Sequence, residues 1–208
     1  MGLAQPVQRL SEAEYLQIER QAEWKSEYFD GEMFAMAGGS LAHSQIAMNL
    51  GGELRNLLKQ RGCIVLGSDM RVKVEASTLY TYPDVTVVCG QTRFADELRD
   101  TVANPMLIAE VLSDSTEAYD RGKKFEHYRQ IPSLLEYLLI SQREPRVEQY
   151  IRQSEDDWLF REAAGLTDHV EISSLQITIA LAEIFAGVKF EPVSLRMATP
   201  PANLPGRF

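Results

Sequence analysis

The chain is short of cysteine, histidine and net positive charge, and it has no long apolar run. Only Cys63 and Cys89 occur in 208 residues, with no C-x-x-C. Neither a disulfide framework nor a zinc site is therefore expected, and both cysteines read as buried apolar strand residues. No stretch approaches the roughly 18 apolar residues of a membrane span. The opening MGLAQPVQRLSEAEYL lacks the basic start and apolar centre of a secretory signal, so a cytoplasmic protein with no membrane partner is expected. A formal charge of −9 argues against a protein that coats nucleic acid by neutralising phosphates. It leaves room for a hydrolase whose acidic site works through a divalent cation. No G-x-x-x-x-G-K-[ST] accompanies Gly38, Gly39, Gly51 and Gly52. Ser40 and Ser113 lack the glycine elbow of a serine nucleophile and read as a helix cap and a strand-end turn.

What is present is an ordinary globular composition, 45% hydrophobic and 25% charged, which suits one domain over residues 1–190 followed by a Pro-rich tail, 191–208. Ser11 and Glu14 have capping-box spacing ahead of a short helix. SEYFDGEMFAMAGG reads as a hairpin turning at Asp30-Gly31. Ser40 caps an amphipathic helix running through Ile46, Leu50, Leu54, Leu57 and Leu58 to Gly62. CIVLGSDMRVKV then opens the core sheet as two strands around a Gly67-Ser68-Asp69 turn. LLEYLLI, RVEQYIRQ and WLFREAAG are three further strands at hairpin spacing. Gln91 to Asn104 is a short helix or a mobile flap beside the site, and ITIALAEIFAGV reads as a second apolar helix.

Two strand-like runs carry carboxylates in unexpected places. TYPDVTVV sets Asp84 at the mouth of a strand, and PMLIAEVL is wholly apolar apart from Glu110. An ionised carboxylate in such surroundings is costly without a nearby cation or strong donors. Asp120, Lys123, Lys124 and His127 follow on a basic helix whose apolar contacts are Tyr119, Phe125 and Tyr128. A buried ion pair is the structural alternative to a catalytic site.

YPDVTVV followed by AEVLSDSTEAYDRGKKFEHYRQIPSLLEYLLI resembles the restriction-endonuclease-like family called Uma-two, a branch of the PD-(D/E)XK nuclease superfamily. The resemblance implies an α/β fold, restriction-endonuclease-like, with a central mixed β-sheet flanked by helices. It implies a metal-dependent endonuclease acting on DNA, with Mg2+ or Mn2+ as cofactor. Asp84 and Glu110 would be ligands, joined by the backbone carbonyl of Val111. The superfamily's E-x-K lysine is missing, since Leu112 stands in its place. The resemblance moves the lysine to Lys124, with Lys123 as its neighbour and Asp120 pairing along the helix. Lys124 would orient or activate water, partial burial lowering its pKa. Glu27, Glu32 and His43 are further candidates, and a homodimer is expected if both DNA strands are cut. A noncatalytic nucleic-acid module and a structural interaction protein are the rival classes.

Overall fold

The computed structural model describes residues 9–190; the Pro-rich segment 191–208 lies outside the described residues. Helix α1 (Glu12–Glu19) begins at Ser11, whose side chain and that of Glu14 form the reciprocal capping box. Strands β1 (Ser26–Phe29) and β2 (Glu32–Ala35) form the hairpin. Its turn places Asp30 at φ 47° and Gly31 at φ 87°, the left-handed pair that an Asp-Gly turn tolerates. Helix α2 (Leu41–Leu58) starts at Ser40, whose hydroxyl accepts from the His43 N–H, and buries Ile46, Leu50, Leu54 and Leu58.

The expected central mixed sheet is present, and a second mixed sheet joins it. β3 (Cys63–Gly67), β6 (Val85–Cys89), β8 (Leu107–Leu112), β9 (Glu136–Ser141), β10 (Arg146–Arg152) and β11 (Trp158–Ala164) form a six-stranded sheet ordered β11-β10-β9-β8-β6-β3. Its β8–β9 pair is parallel and its other pairs antiparallel. Strands β4 (Arg71–Val74), β5 (Leu79–Thr81) and β7 (Thr101–Val102) join the hairpin in a second sheet ordered β2-β1-β5-β4-β7. CIVLG and RVKV thus part company, the second crossing to the other sheet because Val72, Val74 and Leu79 pack against Ile108, Leu112 and Leu139.

Strand alternation sorts the core. Leu107, Ala109 and Val111 face α2, while Ile108 and Leu112 face the second sheet and the segment after β8. Glu110 shares the parity of Ile108 and Leu112, so it is directed at that second compartment. The segment comprises α3 (Glu117–Tyr119), a π-helical turn (Asp120–Lys124) and α4 (Phe125–Tyr128).

Several expectations are corrected. Cys63 and Cys89 are disulfide-bonded, because they face each other directly across the β3–β6 ladder with Cα atoms 4.0 Å apart. ITIALAEIFAGV is divided between β13 (Ile177–Ala180), paired with β12 (His169–Ile172), and the single turn α5 (Leu181–Ile184). Gln91 to Asn104 is held by β7 and by Arg20 and Arg71, which pair with Asp96 and Asp100, and it does not line the groove described below. Tyr119 is 38% exposed rather than a core contact, and His127 is buried against Phe29.

Candidate active site

Three carboxylates converge on one ammonium, with Asp84 beside them, in a groove of about 2310 Å³. Lys124 Nζ lies 2.9 Å from Glu110 Oε1, 3.1 Å from Glu27 Oε1 and 3.6 Å from Asp120 Oδ1. The π-helical turn makes this convergence local, for it leaves both Asp120 and Lys124 buried on one side. Arg121 points the other way and holds the turn to β10 through Glu148 at 2.9 Å.

Asp84 and Glu110 are locked to each other through backbone. The Val85–Ala109 register, extended by one residue, sets Asp84 opposite Glu110. The Asp84 N–H donates to Glu110 Oε2 at 3.3 Å, and the Val111 N–H donates to Asp84 Oδ2 at 2.8 Å. His43, from the first turn of α2, places Nε2 3.1 Å from the same Asp84 oxygen. Tyr128 donates its hydroxyl to Glu110 Oε1 at 2.8 Å, and Thr81 donates to Glu27. Val111 lines the groove beside them.

Burial pushes the Glu110 carboxyl up, to about 8, with Asp84 and Asp120 adding to the rise and Lys124 opposing it. Burial acts to lower the Lys124 amine, yet Glu110, Glu27 and Asp120 together raise it well above the ordinary lysine range. The lowered lysine pKa expected from partial burial is therefore overturned. Lys124 is an ammonium here, while burial disfavours the charged form of Glu110. The hydrogen bond to Asp84 raises the His43 imidazole against the opposing effect of burial.

Two candidates lie away from the cluster. Lys123 is exposed and pairs with Glu126 at 2.9 Å, because the π-helical turn directs its neighbour inward instead. Glu32 is exposed on β2 opposite Phe29 and lines no part of the groove. Tyr128 and Thr81 were missed as site residues: an apolar-looking helix position gives no sign that its hydroxyl reaches a strand carboxylate.

Among the described residues, no three His, Cys, Asp or Glu side chains converge closely enough to enclose a metal ion. That is compatible with magnesium, which keeps several waters and takes only one or two carboxylates. The donor set suits it in kind: hard oxygens, with three carboxylates on a single lysine and Asp84 beside them. That leaves an excess of negative charge which a divalent cation would offset.

Together the paired mixed sheets and their flanking helices make an α/β fold of restriction-endonuclease-like class. The chain belongs to the Uma2 family, described as "Putative restriction endonuclease", whose pattern matches residues 12–182. It is 42% identical over 168 residues to the uncharacterized protein sll1609 of Synechocystis sp. (strain ATCC 27184 / PCC 6803 / Kazusa), a match covering 81% of this chain and 95% of that one. A second protein of the same organism, the uncharacterized slr1290, is 38% identical over 186 residues, covering 89% and 96%. The fold resembles the crystal structure of a putative nuclease belonging to DUF820 from Anabaena variabilis ATCC 29413, with a TM-score of 0.66 and 20% identity. That match covers 83% of this chain and 96% of the other. Among the described residues no helix is long and apolar enough to cross a membrane.

Proposed function

We propose that the protein is a magnesium-dependent endonuclease that hydrolyses phosphodiester bonds in DNA. The observation that carries this reading is the cluster itself: Glu27, Glu110 and Asp120 around Lys124, with Asp84 held beside Glu110, opening on a groove. A buried lysine with one carboxylate would be an ordinary ion pair. Three buried carboxylates on one lysine, with Asp84 beside them, leave an excess of negative charge that another cation would offset.

Asp84 and Glu110 would hold the metal ion, which when bound supplies a water nucleophilic near neutral pH and offsets charge on the phosphate oxygens. The rest falls to the chain. Lys124, as an ammonium, orients the attacking water and stabilises developing negative charge. Val111 N–H and His43 hold Asp84 in place, and the Tyr128 hydroxyl does the same for Glu110. Glu27 and Asp120 keep Lys124 protonated and aimed. Manganese, also an oxygen-seeking ion, would serve in place of magnesium. Plasmid nicking with magnesium or manganese tests the reading: nicking lost in EDTA and in Asp84→Ala supports it. Nicking that survives in Asp84→Ala refutes it.

A further inference from the structure

The groove that ends at the cluster is not walled like a phosphate-binding surface. Phe34 is the Cα partner of Glu27 in the β1–β2 ladder, so the two side chains share one face of the hairpin and stand side by side. Glu27 points at Lys124; Phe34 is nevertheless 49% exposed. Trp24, just ahead of β1, is 67% exposed and lines the same groove. On the opposite wall, Leu41, Met48 and Arg55 follow at seven-residue spacing along α2, which puts them in one exposed stripe facing the groove. Between them Gly51 and Gly52 occupy the helix interior. A Cβ at either would meet nothing within 4 Å, so packing within the chain does not require glycine there. Glycine weakens a helix, and a close approach from outside the chain is what would make use of it.

Whatever is hydrolysed at the cluster must touch these walls, because they belong to one continuous groove. A duplex uses the aromatic walls poorly, since its base faces are stacked away and it presents sugar and phosphate outward. An unpaired strand can use them, with bases free to stack on aromatic rings and phosphates free to meet cations. Arg55 and Lys189 supply those cations. Both are exposed on the groove, and neither has an ion-pair partner among the described residues.

We propose that the groove takes single-stranded nucleic acid, with unstacked bases on Trp24 and Phe34 and phosphates on Arg55 and Lys189. This rests on the nuclease reading for the chemistry but not for the binding. The test is fluorescence anisotropy in EDTA, where metal-dependent turnover is stopped, with a labelled oligothymidylate, an oligouridylate and a duplex of equal length. The expected result is single-strand binding about tenfold or more tighter than duplex binding, the scale of one stacked base. Trp24→Ala and Phe34→Leu should each remove about that factor for the single strand and leave the duplex unchanged, while Phe34→Tyr retains binding. The two homopolymers separate DNA from RNA. Equal or tighter duplex binding, no binding by any oligomer, or a Phe34→Leu protein that binds like the native one overturns the proposal. So does loss of a dimer in Trp24→Ala by sedimentation, which would make the face a contact between copies. Magnesium-dependent nicking of duplex plasmid that is unaffected by both aromatic substitutions defeats this inference and spares the nuclease reading. Single-strand binding without cleavage of any substrate does the reverse.

Discussion

At the residue scale the molecule turns on Lys124, with 8% of its side chain exposed and three carboxylates within 4 Å. Lys124→Met leaves those carboxylates without their cation. The expected loss is about 3–5 kcal/mol of folding stability in EDTA, the cost of uncovering a buried charge. Magnesium should restore part of it by binding the excess charge. Urea denaturation with and without magnesium checks both statements. Activity should fall about a hundredfold or more, as when a positioned group that stabilises transition-state charge is removed. His43 gives a pH signature. Its folded pKa is raised by Asp84, so the pair's contribution is complete below the unfolded value of about 6.5 and is lost as pH rises through the folded value. As pH rises above about 6.5 the metal-free native protein should lose more stability than His43→Gln does. Glu110 and Asp120, whose carboxyls are also raised, are present in both chains, so the difference between the two profiles reports His43 together with its effect on these neighbours through Asp84. Asp84 and Glu110 were legible in the sequence because a carboxylate in an apolar strand is conspicuous. Tyr128 was not, since a tyrosine on a helix is accounted for by its ring alone.

Among the elements, α2 was the most legible: its apolar residues recur on one face and Ser40 closes its start. The hairpin was equally plain, since Asp-Gly permits two left-handed residues in succession. The π-helical turn carried no sequence signal, because a turn one residue wider has the same composition as an α-helical one. ITIALAEIFAGV misled because an unbroken apolar run fits a strand followed by one helical turn as well as it fits a helix. RVKV crossed to a second sheet for a tertiary reason, the apolar face offered by Ile108 and Leu112, that strand propensity does not register. The interior glycines of α2 give a prediction at this scale. Gly51→Ala should stabilise the protein by about 0.5–1 kcal/mol, because no neighbour opposes the methyl group and alanine is the better helix former. The urea midpoint measures it. A loss of stability would mean that α2 packs more tightly there than its open surroundings show.

For the whole molecule, the six-stranded sheet supplies Asp84 and Glu110, the second sheet supplies Glu27, and the π-helical turn supplies Asp120 and Lys124. The site therefore depends on how firmly the two sheets are joined. Between Cys63 and Cys89 the chain leaves the first sheet after β3, contributes β4 and β5 to the second, and returns at Asp84 to begin β6. The disulfide closes that 26-residue excursion at its base. It follows from a strand-pairing register that the sequence alone does not reveal, and two lone cysteines in a chain read as cytoplasmic argued the other way. A covalent closure of this length removes unfolded-state freedom worth about 2–4 kcal/mol. Replacing both cysteines by alanine should lower stability by that amount, and a reducing agent should do the same to the native protein while leaving the double variant unaffected. Unfolding should remain a single transition, since the core shared by Val72, Val74, Ile108 and Leu112 still binds one sheet to the other. Nicking activity at a temperature well below the transition should persist, because the remaining β3–β6 ladder and the β6–β8 pairing hold Asp84 opposite Glu110 without the crosslink. Denaturation curves in oxidised and reduced buffer, run beside nicking assays on the same samples, decide whether the crosslink serves the fold alone or also sets the geometry of the site.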